Sequence, residues 1–349
     1  MSTNNKFEPL AFSCQAPAAQ KKLSFNYGLA LLRVWMCFEV VFGHCTPGQS
    51  LLLNQYFFGY AVPVFMIMSF FLTDSFRLSS DPNYRKRRIL RLLTPQIFWA
   101  FAYWGFYNLT SIVFHSSRKE NIFSLLWQIG FGYTFNGSMW FQSDLIFITL
   151  LFALILALPR KITLNYILPF IFFTFLCMSY MGLNQKIVTN LPEEMSTTVS
   201  CLFGMIPLAI TGIYLKVWNF PEFAKNKKTL FPLLLALLFF LIFAPFSHCA
   251  GGSYNGLPTI AVPTLLIILF YALPLNSERF RFLHSPIQIL SKYTMGVYCI
   301  HRMIRHIFRT VTNLESRPVI FSALVFLASW AVCFIIGKLP WKWAKASVS

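Results

Sequence analysis

From Leu23 onward the chain alternates long apolar runs with short polar breaks, and the runs recur near one length. A helix needs about 20 predominantly apolar residues to cross the hydrocarbon layer of a bilayer. Ten runs of roughly that size stand at 25–45, 56–76, 92–114, 138–159, 164–183, 198–218, 229–247, 256–275, 286–308 and 319–338. The stretch 121–135 is apolar but short, and reads as a re-entrant or interfacial piece. Residues 1–20 are small and polar and read as a flexible cytoplasmic tail, while 21–345 reads as one transmembrane domain. The first apolar run follows Lys21 and Lys22 directly and continues into a full span, which is not the pattern of a cleaved signal. The pattern predicts an all-α, polytopic integral membrane bundle of about ten transmembrane helices.

Composition sharpens this picture. Of 349 residues 56% are hydrophobic, 40 are Phe and only 11% are charged, whereas soluble domains carry about a quarter charged residues. A net charge of +18 in a soluble chain would point to nucleic acid. Here its distribution points to topology instead. With the N-terminus inside, the outer side receives only Arg118, Lys119, Lys186, Arg302, Arg305, Arg309 and Arg317. Arg33 lies inside the first run, and all other Lys and Arg fall on the inner side, so the positive-inside rule predicts N-in and C-in. Nucleic acid is not needed as a partner. The eight Cys show neither CxxC nor Cys/His ligand spacing, so no metal site or disulfide framework is expected. Cys45 and Cys249, both near the outer face, read as free thiols.

Ionisable groups inside spans are costly and mark functional sites by default. The first run carries three: Arg33, Glu39 and His44. Arg33 and His44 are eleven residues apart, so they share a helix face about 16 Å apart along the axis. Snorkelling of Arg33 inward and placement of His44 among headgroups is the simpler alternative. Glu39 lies off that face and is expected to meet another helix; Asp144 is the only other acid well within a run. After the second run, Arg85, Lys86, Arg87, Arg88 and Arg91 crowd one entrance, with Arg88 and Arg91 on one side of a turn. Such a cluster is either a positive-inside anchor or a dock for a polyanion, since Arg forks match phosphate oxygens. In the ninth run Tyr298 and His301 share a face, and Arg302, Arg305 and Arg309 form a second stripe near the outer surface. That stripe either meets headgroups or receives an anionic acceptor, and His248 is a further candidate for the same rim.

Taken in order, these motifs resemble the membrane acyltransferase-3 family. Arg33 and His44 resemble its Arg/Lys-x10-His signature, and Val62–Leu72 resembles its Phe-Phe-x-x-Ser-Gly stretch, with Phe65 and Ser69 in place. Arg88-Ile-Leu-Arg91 before Pro95 resembles Arg-x-x-Arg, Met139-Trp140-Phe141 resembles Trp-Phe, and Gly296 to His301 resembles Gly-x-Tyr-x-x-His. One position departs: Phe70 stands where the family carries Gly. The resemblance implies transfer of an acyl group, acetyl above all, from acetyl-CoA or another cytoplasmic acyl-CoA to a hydroxyl of a glycan or lipid-linked saccharide, in a bacterial inner membrane. No permanently bound cofactor is implied.

In that reading His44 is the general base, because His is the usual side chain that takes a hydroxyl proton during attack on a thioester. Glu39 or Asp144 would orient it. Arg33, Ser69, Arg88 and Arg91 would hold the donor, and Tyr298, His301, Arg302, Arg305 and Trp140 the acceptor. The rival class is a transporter or flippase for lipid-linked sugars, which also buries charge in an apolar bundle. A structural membrane subunit would leave the intramembrane His without a purpose.

Overall fold

A computed structural model describes residues 25–46, 59–113, 120–132, 136–220, 226–243, 257–312 and 314–349. The described residues are helical and contain no strand. The tail at 1–20, the loop arginines and lysines at 118–119, and His248 and Cys249 lie outside them; Cys45 is a free thiol.

The central element is α1 (Tyr27–Cys45). Asn26 starts it by accepting from the Leu29 N–H at 2.9 Å, and Thr46 ends it by returning both its N–H and its hydroxyl to the Phe42 carbonyl. These are the two ways of satisfying helix-end groups that have no ladder partner. Its buried face runs through Leu29, Leu32, Met36, Cys37 and Val41. Around α1 pack α2 (Ala61–Leu72), α11 (Leu257–Ala272), α12 (Arg281–Lys292), α13 (Thr294–Val311) and α14 (Pro318–Lys338). The other elements are α3 (Ser75–Ser80), α4 (Pro82–Val113), α5 (Ile122–Phe131), α6 (Trp140–Ile155), α7 (Arg160–Tyr180), α8 (Leu183–Val188), α9 (Glu193–Val217), α10 (Lys227–Phe243) and α15 (Lys342–Val348). A π-helical stretch at Thr163–Ile167 lies within α7.

Five segments are long and apolar enough to cross a membrane: α1, α7, Thr198–Val217 of α9, Leu257–Asn276 and α14. Ala61–Leu72, Ile122–Phe131, Trp140–Ile155 and Lys228–Ile242 are apolar but shorter. The long helices outside both sets are α4 and α13, and these carry Arg88, Arg91, Arg302 and Arg305. Charged side chains interrupt the apolar pattern there. The periphery, by contrast, keeps large apolar side chains in the open, Leu154 at 74% and Phe170 at 72% exposure, as contact with lipid requires.

Two expected spans differ in the structure. The ninth, 286–308, is not continuous: α12 ends at Lys292 and α13 begins at Thr294, with the Tyr293 N–H turned back to Leu290. The cause is the Tyr293 ring, which is buried against Trp330, Phe334 and the bare backbone of Gly337 and so pins the corner to α14. The second, 56–76, closes early. Thr73 is extended, Asp74 caps α3 instead, and Lys216 Nζ donates to the Thr73 carbonyl at 2.8 Å. The short apolar piece expected at 121–135 contains α5, which Asn121 caps and a left-handed Gly132 ends.

The α2–α9 contact depends on one glycine. A Cβ at Gly212 would collide with the Ile67 carbonyl and press on Phe70 and Phe71, so α9 lies directly on the α2 backbone. Close backbone approach through small residues is how apolar helices associate without a hydrophobic driving force. Phe70, at the position expected to be Gly, is fully buried and meets Phe152 edge-on, and the small residue sits across the interface instead. Gly212→Ala should therefore lower the melting temperature of detergent-purified protein by several degrees. Gly105→Ala, where a Cβ meets open space in the middle of α4, should leave it unchanged or raise it.

Candidate active site

The site begins at the basic end of α4. Asp81 caps that helix, its Oδ1 accepting from the Asn83 and Tyr84 N–H groups at 3.0 Å each, and Pro82 occupies the first turn where a missing N–H costs nothing. An ion pair of 2.8 Å from Arg77 holds the cap. At 1.5 Å per residue, α4 is about 48 Å long against a hydrocarbon thickness of roughly 30 Å, so its basic turns project beyond the apolar layer. Pro95 breaks the ladder after the basic turns, and Gln142 Nε2 of α6 donates to the Leu92 carbonyl beside the break.

Arg88 turns inward from this cluster. Its Nη2 donates to Ser69 Oγ at 2.9 Å and its guanidinium lies 5.4 Å over the Phe70 ring. Burial pulls its pKa down to about 10, which still leaves a full cation at neutral pH. Phe70 thus serves as a cationic platform.

Beside these residues opens a cavity of about 300 Å³. Arg87, Arg88, Arg91 and Tyr84 line its basic end, Arg33 and Ser69 its side, and Phe65, Phe141, Leu145 and Tyr298 its apolar depth. The cavity gathers all four residues expected to hold a donor, together with Tyr298. Arg33 donates to Thr294 Oγ1 at 3.3 Å, so its charge is tied to the first turn of α13. Of the Trp-Phe pair, Phe141 lines the cavity and Trp140 does not; Phe141 meets the Tyr298 ring edge-on, 5.8 Å between centroids.

At the far end α13 brings a second histidine to the first. The His44 and His301 rings stack with centroids 5.1 Å apart and planes 24° apart. His301 is fully buried, whereas His44 is half-buried at the end of α1. His301 Nδ1 lies 2.7 Å from the Tyr298 carbonyl and 3.3 Å from that of Val297. A carbonyl only accepts, so Nδ1 carries the proton and Nε2 is the bare nitrogen, buried and without a hydrogen-bond partner. Arg302 and Arg305 are the other electrostatic neighbours of His44. Arg309 does not join them, because it is paired with Glu315 beyond the end of α13.

Neither carboxylate expected to orient His44 is found bonded to it. Glu39 Oε1 accepts from the Tyr60 N–H at 3.3 Å, so it satisfies the start of α2. Asp144 is fully buried, and neither of its oxygens has a hydrogen-bond partner among the described residues. Uncharged polar groups do meet α13 from α4 and from the segment before α6. Tyr298 donates its hydroxyl to the Ser138 carbonyl. Asn136 Nδ2 and the Tyr103 hydroxyl both donate to the Cys299 carbonyl, at 3.1 and 2.9 Å. Gln128 exchanges bonds with the Asn136 backbone, and Gln96 Nε2 donates to Ser143 Oγ at 3.0 Å. Reading only ionisable groups misses this network. Its available signal was the recurrence of Gln and Asn in otherwise apolar runs.

Residues 26–338 match the family model described as an acyltransferase domain. No curated protein and no solved structure matches the chain. The model match covers almost all of α1 to α14, including every residue that lines the cavity and both stacked histidines, so the chain belongs to the acyltransferase-3 family and is a membrane acyltransferase.

Proposed function

We propose that the protein moves an acyl group, acetyl above all, from a cytoplasmic acyl-CoA to a hydroxyl of a glycan or lipid-linked saccharide, with His44 as general base. The supporting observation is the cavity, which runs from the arginine cluster to Tyr298, one helical turn before the His301 that stacks on His44. In this reading the basic end faces the cytoplasm, as the charge bias predicts, about ten spans cross a bacterial inner membrane, and the nucleotide stays outside the bundle. Arg88 and Arg91 hold its phosphates in planar forks. The thin arm enters past Arg33 and Ser69, and the distance left to His44 is about 16 Å by helix rise.

His44 takes the proton of the acceptor hydroxyl as its oxygen attacks the thioester carbonyl. Collapse of the tetrahedral adduct breaks the C–S bond, and the proton passes to the leaving thiolate as free CoA forms. Arg302 and Arg305 suit an acceptor bearing phosphate or carboxylate, because such an anion would neutralise two guanidiniums beside the base when it must take a proton. Trp140 at the start of α6 and Tyr298 would contact the saccharide. A transporter or flippase for lipid-linked sugars would bind the saccharide and leave the thioester intact, so thioester consumption by purified protein separates the two.

Three measurements test the roles. His44→Ala should cut acyl transfer by roughly 100-fold or more while donor binding persists; near-normal turnover would remove His44 from the mechanism. Changing Arg88 and Arg91 together to Gln should raise the donor KM far more than the acceptor KM, with partial recovery in the double Lys variant. Arg305→Gln should raise the acceptor KM, flatten its dependence on salt and leave donor hydrolysis unchanged. An identical salt response in both proteins would make Arg305 a headgroup contact instead.

A further inference from the structure

Tyr103 is fully buried in the middle of α4, and its hydroxyl is engaged twice by α13. It donates to the Cys299 carbonyl at 2.9 Å and accepts from the Met303 N–H at 3.1 Å. Those two groups are i and i+4, the pair that a helical ladder joins, and the turn between them carries Ile300, His301 and Arg302. A side-chain hydroxyl bridging that step is a recognised way to open a helix locally. Asn136 Nδ2 supplies a second donor to the same carbonyl. One turn earlier, His301 Nδ1 bonds back to Tyr298 and Val297, and its Nε2 is left buried and bare beside His44.

We propose that Tyr103 is a positioning residue, whose hydroxyl wedges the His301 turn of α13 and so holds His301 in the Nδ1–H tautomer with Nε2 free beside His44. The assignment of a catalytic role to this geometry rests on the function proposed above; the wedge itself does not. A tightened turn would rotate the imidazole relative to the two carbonyls that anchor Nδ1, and the bare nitrogen would no longer be fixed. Tyr103 sits on the helix that bears Arg88 and Arg91, so one continuous helix, interrupted in its ladder only at Pro95, connects the cluster proposed to hold the donor with the histidine pair.

The test compares Tyr103→Phe with the unaltered protein in nanodiscs, using histidine labelled with ¹⁵N and His301→Gln to assign the resonance. The unaltered protein should show His301 as a single Nδ1–H tautomer, and the variant should show a shifted or mixed signal. Turnover should fall roughly 10- to 100-fold with the donor KM little changed, as expected when a reacting group is misplaced. The melting temperature should not fall much, because the Cys299 carbonyl and the Met303 N–H can pair directly once the hydroxyl is gone. A packing role alone would lower the melting temperature and leave the His301 resonance in place. An Nε2–H tautomer in the unaltered protein, or an unchanged His301 signal in Tyr103→Phe, would overturn the proposal. Full activity in His44→Ala would sink the proposed mechanism and leave the His301 resonance as an independent test of the wedge.

Discussion

α1 and α13 run side by side in the same direction, and their register decides what the site can be. Cys37 Sγ meets the Thr294 carbonyl, and His44 stacks on His301. Each pair is seven residues on from the other along its own helix, so both helices advance two turns, about 10 Å, and return the same face to each other. Arg33, one turn before Cys37, reaches Thr294 as well. A slip of one residue would rotate each face by about 100° and separate the histidines. The other elements follow from this pair. α14 takes the Tyr293 corner, α4 delivers an uncharged donor and α6 an uncharged acceptor to the back of α13, and α2 closes the cavity with Ser69 held by Arg88.

Burying this much polarity is possible because almost every group in the layer behind α13 answers another. An orphaned buried donor or acceptor costs about 1–3 kcal/mol, and Gln96, Gln128, Asn136, Gln142 and Tyr103 between them touch backbone carbonyls, backbone N–H groups and side-chain oxygens on α4, α5, α6 and α13. Amides serve well here, since each can both donate and accept without carrying a net charge into an apolar bundle. Glu39 belongs to the same logic. Off the His44 face, it accepts from the buried Tyr60 N–H at the start of α2, the helix that carries Ser69.

Much of the fold and part of the site were legible in the sequence. Apolar run length located helices along the whole chain, and the eleven-residue spacing put Arg33 and His44 on one face. The motifs grouped Arg33, Ser69, Arg88 and Arg91 as one set, and these four line one cavity; Tyr298, assigned to the acceptor, lines it too. What was not legible depends on contacts between distant segments. The break at Tyr293 comes from a ring seated against Gly337, 44 residues away in sequence. With Phe70 where the family carries Gly, no close backbone approach was legible beside Ser69; Gly212 on a different helix supplies one, and single-chain pattern reading cannot assign a small residue to a partner's face. Within the stripe of three arginines, Arg309 is paired with Glu315, an acid past the helix end that helical periodicity does not point to.

The distribution of charge along the molecule gives the site its direction. At the basic end the guanidiniums of Arg87 and Arg91 are exposed and therefore fully hydrated before any anion arrives. Toward the depth they give way to Arg88, with its guanidinium packed on Phe70, and then to Phe65, Phe141 and Leu145. An incoming polyanion is therefore attracted where water is plentiful and loses support as the walls become apolar, while a thin uncharged arm meets the opposite gradient. Beyond Tyr298 positive charge returns with Arg302 and Arg305, now beside the histidines. Two cationic zones, one at the mouth of the cavity and one beside the histidines, are thus separated by apolar side chains. Under the function proposed above, that arrangement would sort donor from acceptor by where each carries its charge.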